Sequence, residues 1–212
     1  MAPLKAVLFD WDGTLLDSAE ATYRCYGRLF SGYSLAFDRE TFARTYCPDW
    51  YRTYEQLGLD RAFWDEADRR WLGFYAEEPP ELLAEAREGL ARLSRAGIPH
   101  ALVTSGQRER VVADLERLGL TSAFAALVCG SDLPERKPDP APLRRALREL
   151  GVAAGEAAYV GDSPDDIRMA QAAGVRAVAV PGGYPNRPEL VASQPDVFAE
   201  TLQAALAALG IP

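Results

Sequence analysis

An alternation of short apolar runs with longer helical segments most strongly constrains the fold of this chain. Short, continuously apolar runs are typical of strands in a parallel sheet covered on both faces. Gly97, Gly119, Gly151 and Gly174 follow four of the helical segments, as expected at helix C-termini. The pattern predicts a doubly wound α/β domain. The predicted strands are residues 4–10, 98–104, 126–129, 157–160, 175–180 and 196–198, and the predicted helices are residues 81–96, 108–118, 141–150, 165–173 and 201–209.

The segment from residue 18 to residue 80 interrupts this alternation. It has no strong strand pattern and holds 15 of the 21 aromatic residues. We expect a small α-helical domain over residues 18–80, inserted into an α/β core domain made of residues 1–17 and 81–212. Residues 14–17 would lead out of the core, and the stiff pair Pro79-Pro80 would lead back. A helical unit of about sixty residues needs large side chains for a core of its own. We therefore expect the aromatic residues mainly to build that core rather than line a pocket: Tyr46, Trp50, Tyr51, Tyr54, Trp64 and Trp71.

Composition excludes several classes of partner. The chain has 212 residues, 48% of them hydrophobic, and a net charge of −8. Such a charge disfavours binding to nucleic acid or to an anionic membrane. No apolar run reaches membrane-spanning length, and the sequence enters a strand at once rather than a signal peptide. Cys25, Cys47 and Cys129 are widely spaced and form no disulfide or zinc pattern, so we expect buried thiols in a cytoplasmic protein.

Histidine and lysine are both rare. The single histidine, His100, lies in a predicted strand, so acid–base chemistry would fall to carboxylates. Of the 23 basic residues only Lys5 and Lys137 are lysines. Because a compact ammonium and a planar guanidinium are not interchangeable, Lys137 is a candidate for a specific role.

Two carboxylates follow the first strand, in the run Asp10-Trp11-Asp12-Gly13-Thr14. Side chains two positions apart in an extended chain point to the same side, so Asp10 and Asp12 can face one pocket. Gly13 permits a sharp turn after them. Two neighbouring like charges need a cation or a shared proton, so the pair indicates either a metal site or a proton-sharing dyad.

Further polar residues follow the other predicted strands. Ligands of an open parallel sheet bind at the carboxyl ends of its strands. A set of carboxylates, a hydroxyl, backbone amides and an ammonium at that edge suits phosphoryl transfer. The set consists of Asp10, Asp12, Thr104, Ser105, Gly106, Lys137, Asp162 and Asp166.

Each of these residues receives an expected role from its chemistry. Mg²⁺ would take oxygen ligands from the side chains of Asp10 and Asp162 and from the backbone carbonyl of Asp12. Asp10 would attack phosphorus, and Asp12 would act as general acid and base. Lys137 would neutralise developing charge.

The remaining polar groups would support this chemistry. Thr104, with the amides of Ser105 and Gly106, would hold the phosphoryl oxygens. Asp166 would support the metal ligands without binding the metal directly, either through a water molecule or by contacting Lys137. The alternative is structural: Thr104 as a helix N-cap, Lys137 as a solvated charge, and Asp162 as a turn residue. We interpret Asp132, Asp139 and Asp165 as structural.

The ordered motifs resemble the haloacid dehalogenase superfamily, specifically its phosphatases with a helical cap. The resemblance spans essentially the whole chain and rests on D-W-D-G-T at 10–14, T-S-G at 104–106, K-P-D-P at 137–140 and G-D-S-P-D-D at 161–166. It implies a Rossmann-like core, a cap that opens and closes, and Mg²⁺-dependent hydrolysis through a phosphoaspartate on Asp10. Leu15-Leu16-Asp17-Ser18 is most similar to the phosphoglycolate phosphatase group.

Other members of the superfamily provide the alternatives. Dehalogenases lack the carboxylate that Asp12 supplies, and phosphonate-cleaving relatives use a cap lysine that is missing here. β-Phosphoglucomutase-like relatives carry a histidine where counting from Asp10 reaches Thr22, so a phosphomutase is the second hypothesis. A non-catalytic phosphate-binding protein would normally lack the nucleophile. The expected partner is a small phosphorylated metabolite, such as phosphoglycolate, a sugar phosphate or a nucleotide, acted on by a monomer or homodimer.

Overall fold

A parallel six-stranded sheet forms the centre of the molecule in a computed structural model that describes residues 3–211. The strands lie in the order β3-β2-β1-β4-β5-β6, and every neighbouring pair is parallel. This confirms the predicted doubly wound α/β fold, and each predicted strand is present. The strands are β1 Ala6–Phe9, β2 His100–Val103, β3 Ala126–Val128, β4 Ala157–Gly161, β5 Arg176–Ala179 and β6 Val197–Phe198.

Two hydrophobic layers cover the sheet because successive residues of each strand point to opposite faces. The helices that surround the sheet and form the rest of the molecule are α1 Ala19–Ser31, α2 Arg39–Thr45, α3 Trp50–Gln56, α4 Trp64–Glu77, α5 Ala86–Arg95, α6 Arg108–Arg117, α7 Ala141–Leu150, α8 Pro164–Ala173, α9 Arg187–Ala192 and α10 Leu202–Ala208. On one face Val7 and Phe9 pack with residues of α5, α6 and α10. On the other face Ala6 and Leu8 pack with residues of α7, α8 and α9.

Helices α1–α4, which we call the cap helices, lie between β1 and α5 in the chain and share a third hydrophobic cluster. Tyr26, Phe30, Phe42 and Tyr54 are buried in it. One residue from the segment after β5, Tyr184, also belongs to this cluster. The aromatic residues thus provide the cap helices with an interior of their own, as the sequence predicts.

The two connections to the cap helices are hydrogen-bonded to each other. The Asp17 amide donates to the Glu81 carbonyl at 2.9 Å, and the Leu83 amide donates to the Leu15 carbonyl at 2.9 Å. For this reason the predicted start of a helix at residue 81 is wrong, and α5 begins at Ala86. Helix α9 has six residues and was not predicted, because so short a segment shows little periodicity.

Other expectations concern single residues. All three cysteines are free, although Cys47 is half-buried rather than buried. His100 is a buried residue of β2. The four glycines expected at helix ends all have positive φ, between 67° and 74°. In the described part of the chain, no helix combines the length and the apolar character needed to cross a membrane.

Candidate active site

Asp10 and Asp12 lie where the chain leaves the carboxyl end of β1. The Asp10 amide donates to the Val160 carbonyl of the neighbouring strand at 2.9 Å, which continues the sheet pairing to this position. Trp11, between the two, points into the core, where its indole N–H donates to Asp114 at 3.3 Å. Gly13 has φ +79°, and a side chain there would collide with the Asp162 carboxylate. The turn therefore needs a glycine to bring the loops after β1 and β4 together.

Lys137 is buried at the centre of this edge, in the loop between β3 and α7. Its ammonium nitrogen Nζ donates to Asp10 Oδ1, to Asp166 Oδ1 and to the Tyr159 hydroxyl, each at 2.7 Å. All three donors of the ammonium are used. Burial alone would lower the pKa of Lys137, but the carboxylates of Asp10 and Asp166 raise it above its ordinary value. Lys137 is therefore not the solvated loop charge of the structural alternative.

Asp166 holds Lys137 in place. Its Oδ1 accepts from Lys137 and from the Tyr159 hydroxyl, and its Oδ2 accepts from the Ser163 amide at 3.0 Å and the Ser163 hydroxyl at 2.7 Å. The donation from the Ser163 amide, together with donation from the Asp166 amide to the Ser163 hydroxyl at 3.2 Å, forms the N-terminal capping box of α8. With both oxygens engaged, Asp166 is a supporting residue that contacts Lys137 directly.

Three buried carboxylates crowd together beside Lys137. Asp10, Asp162 and Asp166 each offer an oxygen within 4.8 Å of the others. Burial raises the pKa of Asp10 to about 7, against the opposing effect of Lys137. Burial and the charges of Asp10 and Asp166 raise the pKa of Asp162 well above its ordinary value.

One fully buried oxygen of this group has no hydrogen-bond partner in the described part of the chain. Asp162 Oδ2 is buried and accepts no hydrogen bond. The carbonyl of Asp12 likewise accepts no backbone hydrogen bond there. Crowded carboxylates and unpaired oxygens fit a hard divalent cation. Asp10, Asp162 and the carbonyl of Asp12 are the groups able to hold it.

The segment after β2 brings Thr104, Ser105 and Gly106 to the same cleft. The Thr104 hydroxyl accepts from the Gly106 amide at 3.0 Å, so that amide is already engaged and is not the free phosphoryl donor expected from the sequence. Helix α6 begins at Arg108 with Gln107 as N-cap, which excludes Thr104 as the N-cap.

Arg110 is the main polar residue of the site that the sequence analysis missed. It is buried in α6 and forms a bidentate ion pair with both carboxylate oxygens of Asp12. It also donates to the Tyr75 hydroxyl at 3.0 Å, and that hydroxyl donates to Asp114 at 2.9 Å. Since Tyr75 belongs to α4, this network joins the cap helices to Asp12. The Arg110–Asp114 spacing of four was the one sequence signal available.

The cap helices form the opposite wall of an open cleft, whose volume is about 800 Å³ including the part open to solvent. Four of the six aromatic residues named above line it: Tyr46, Trp50, Tyr54 and Trp71. These four rings therefore pack in the cap interior, as expected, and also line the cleft.

Tyr184 attaches the segment after β5 to this wall. Its ring stacks on Tyr46 with centroids 4.3 Å apart. Its hydroxyl lies 3.0 Å from the hydroxyls of both Ser18 and Thr22.

The motifs and their geometry agree with the comparison to known proteins. The model of the haloacid dehalogenase-like hydrolase family matches residues 7–180. This chain belongs to that family. A phosphoglycolate phosphatase of Pectobacterium atrosepticum is 31% identical over 224 aligned positions, covering 99% of this chain and 94% of the relative.

Solved structures of the family share the whole architecture. A predicted phosphoglycolate phosphatase of Haemophilus somnus 129pt superposes with a TM-score of 0.86 at 26% identity, covering 98% of this chain and 99% of that one. The protein CbbY of Rhodobacter sphaeroides, solved with phosphate, has a TM-score of 0.80 at 28% identity, with coverage of 98% and 99%. The family resemblance seen in the sequence is therefore confirmed.

Proposed function

We propose that this chain is a Mg²⁺-dependent phosphatase that hydrolyses small phosphomonoesters through a phosphoaspartate on Asp10. The observation that carries the proposal is the pairing of Asp10 with Lys137 at 2.7 Å beside the unpaired Asp162 Oδ2. A nucleophile, a fixed ammonium and an unpaired carboxylate oxygen at one sheet edge suit attack on a phosphate dianion.

Asp10, Asp162 and the Asp12 carbonyl would hold Mg²⁺, with Asp166 as support. When bound, the ion supplies positive charge that offsets the repulsion between these carboxylates and a phosphate dianion. Lys137 adds a fixed positive charge 2.7 Å from Asp10 Oδ1. The Thr104 hydroxyl and the Ser105 amide would orient the phosphoryl oxygens.

The reaction would proceed in two displacements. A carboxylate oxygen of Asp10 forms a bond to phosphorus while the bond from phosphorus to the alcohol oxygen breaks, and Asp12 donates its proton to that oxygen. A water molecule then loses a proton to Asp12 and attacks the phosphoaspartate, which releases phosphate and regenerates Asp10. Both oxygens of Asp12 are paired with Arg110 in this structure, so proton transfer requires the release of one of these hydrogen bonds.

We further propose that the cap and the core are separate domains, with residues 18–80 as a movable cap on residues 1–17 and 81–212. Residues 1, 2 and 212 of that division lie outside the described residues. The separate hydrophobic cluster of the cap helices supports the division. We also propose that the protein is cytoplasmic, which the free thiols support, and that it has no nucleic-acid partner, which the net charge of −8 supports; a monomer or homodimer stays a prediction from the sequence.

Hydrolysis is favoured over the phosphomutase hypothesis by Thr22. The Thr22 hydroxyl lines the cleft and is held by Tyr184 at 3.0 Å, where mutase-like relatives carry a histidine. The presence of Asp10 argues against a non-catalytic phosphate-binding protein.

Purified protein should release phosphate from a panel of phosphomonoesters when Mg²⁺ is present and not when it is chelated. Asp10→Asn should lower kcat by at least about 10⁴-fold because the nucleophile is lost. Undiminished turnover by folded Asp10→Asn protein would refute the proposal. Asp139→Asn, at the loop residue we interpret as structural, is the control.

A further inference from the structure

In the part of the chain that the structure describes, the wall of the cleft formed by the cap helices has one acidic side chain and no basic one in its lining. Among the described residues, its lining contains no lysine, arginine or histidine, and Asp68 is its one carboxylate. The Asp68 oxygens accept hydrogen bonds from the hydroxyls of Tyr51 at 3.1 Å and Tyr54 at 3.0 Å. These contacts hold the carboxylate on the cap wall of the cleft and oppose the rise in its pKa that burial causes.

The two cations on the opposite wall are already paired. Lys137 lies between Asp10 and Asp166, each at 2.7 Å. Arg110 is paired with both oxygens of Asp12 and lies 3.5 Å from Asp114. Four carboxylates therefore surround two cations, which leaves neither of them available for a second anionic group on the substrate.

The same cap wall presents polar donors without partners. The indole N–H groups of Trp50 and Trp71 are buried and have no hydrogen-bond partner in the described chain. A hydroxyl group can accept from an indole and also donate to Asp68, whereas a carboxylate or phosphate can only accept and is repelled by Asp68. The rings themselves offer flat faces to the carbon skeleton of a ligand.

Given the phosphatase activity proposed above, we propose that the cleft selects phosphomonoesters of uncharged, hydroxyl-bearing alcohols, such as sugars or polyols. Esters whose alcohol carries a carboxylate or a second phosphate are disfavoured, and Asp68 is the residue that excludes them. This substrate class differs from the phosphoglycolate named for the relatives of this chain.

A matched pair of substrates tests the charge preference. Glycerol 1-phosphate and 3-phosphoglycerate share a three-carbon skeleton and differ mainly in a CH₂OH group against a carboxylate. We expect kcat/KM to favour glycerol 1-phosphate by at least about tenfold, the effect of like charges at a partly buried site. A preference for 3-phosphoglycerate would overturn the inference.

Replacing the excluding charge should reduce this preference. Asp68→Asn keeps the size of the side chain and an acceptor for the tyrosine hydroxyls, and it should lower the ratio of the two kcat/KM values by about tenfold. Asp65→Asn, at an exposed position in the same helix, should leave the ratio unchanged. A ratio unaltered by Asp68→Asn, in protein shown to be folded by circular dichroism, would overturn the role of Asp68.

Binding provides a readout that is independent of turnover. Calorimetry with the Asp10→Asn protein and Mg²⁺ should show tighter binding of glycerol 1-phosphate than of 3-phosphoglycerate. If no ester is hydrolysed but this binding preference is found, the phosphatase proposal fails and the charge selection stands. Hydrolysis of both esters with equal or reversed preference would refute the charge selection alone, and binding of neither ester would refute both.

Discussion

The two walls of the cleft differ in the kind of polar group that lacks a partner in the described chain: a carboxylate acceptor, Asp162 Oδ2, at the sheet edge, and indole donors on the cap side. At the sheet edge, Lys137 uses all three of its donors, and both oxygens of Asp166 are engaged. On the cap side, the indole N–H groups of Trp50 and Trp71 have no partner in the part of the chain that the structure describes.

This difference indicates that the sheet edge carries out the chemistry and that the cap wall selects the substrate. The hydrogen bonds of Lys137 and Asp166 hold the reacting groups in one geometry, which any phosphomonoester can use. Unpaired donors gain a partner only when a suitable leaving group binds. We therefore expect substitutions at the sheet edge to lower kcat on every ester, and substitutions in the cap wall to alter KM and substrate preference.

The largest effect that separates the walls is expected from Asp12→Asn. The variant keeps the backbone carbonyl but loses the general acid and base, so kcat should fall by about 10²–10⁴-fold on every ester. Steady-state assays on two esters with different alcohols would measure this, with the exposed Asp17→Asn as control. A loss confined to one ester would place Asp12 in substrate selection rather than in the chemistry.

Lys137→Arg comes next in size. A longer planar guanidinium cannot replace three donors that each reach a different partner at 2.7 Å, so we expect a loss in kcat of about 10²-fold. Lys5→Arg is the matched control. Lys5 directly precedes β1, its side chain is exposed, and its ammonium pairs with Glu156 at 2.6 Å. If both variants keep normal turnover, the three-way contact of Lys137 is not needed for catalysis.

Stabilisation by the metal should depend on the sheet edge and not on the cap wall. At a free concentration of Mg²⁺ about 100 times Kd, the folded state gains about 2.7 kcal/mol. For a chain of this size the corresponding rise in Tm is about 5–10 °C. Asp162→Asn should abolish the rise in thermal melts, and Trp71→Phe in the cap wall should retain it. An equal rise in the Asp162→Asn protein would exclude Asp162 as a ligand.

The smallest effect is expected from Trp71→Phe. This change removes an unpaired donor but retains an aromatic ring, so KM should rise by about 3- to 10-fold for a hydroxyl-bearing ester with little change in kcat. Trp64→Phe is the matched control, since the Trp64 indole donates to the Leu59 carbonyl and the ring lies outside the cleft lining. A fall in kcat without a change in KM would contradict the assignment of this wall to binding.

The sequence predicted the sheet and its charged edge because their signals are local. Apolar runs mark the strands, and the polar residues of the edge follow them directly in the chain. Parallel strands then bring distant residues such as Asp10 and Lys137 together without any further assumption. The expected contact of Asp166 with Lys137 is present for the same reason.

The sequence could not predict features that depend on side-chain direction. Arg110 and Asp12 are 98 residues apart, and they meet because α6 packs on the face of the sheet beside β1. Which aromatic rings of the cap face the cleft likewise depends on helix rotation, since Trp50 and Trp71 line it while Tyr51 and Trp64 stack on each other at 4.8 Å. The order of the motif likewise did not show that the Gly106 amide donates to the Thr104 hydroxyl, because that depends on the direction of the Thr104 side chain.

Trapping of the covalent intermediate tests the central claim most directly. Wild-type protein would be mixed with a phosphomonoester and Mg²⁺, quenched in acid during turnover, digested and analysed by mass spectrometry. The account predicts a peptide heavier by one phosphoryl group, with the modification on Asp10 and absent from the Asp10→Asn protein. Active enzyme that carries the phosphoryl group on another residue, or that never carries one at any quench time, would contradict the account.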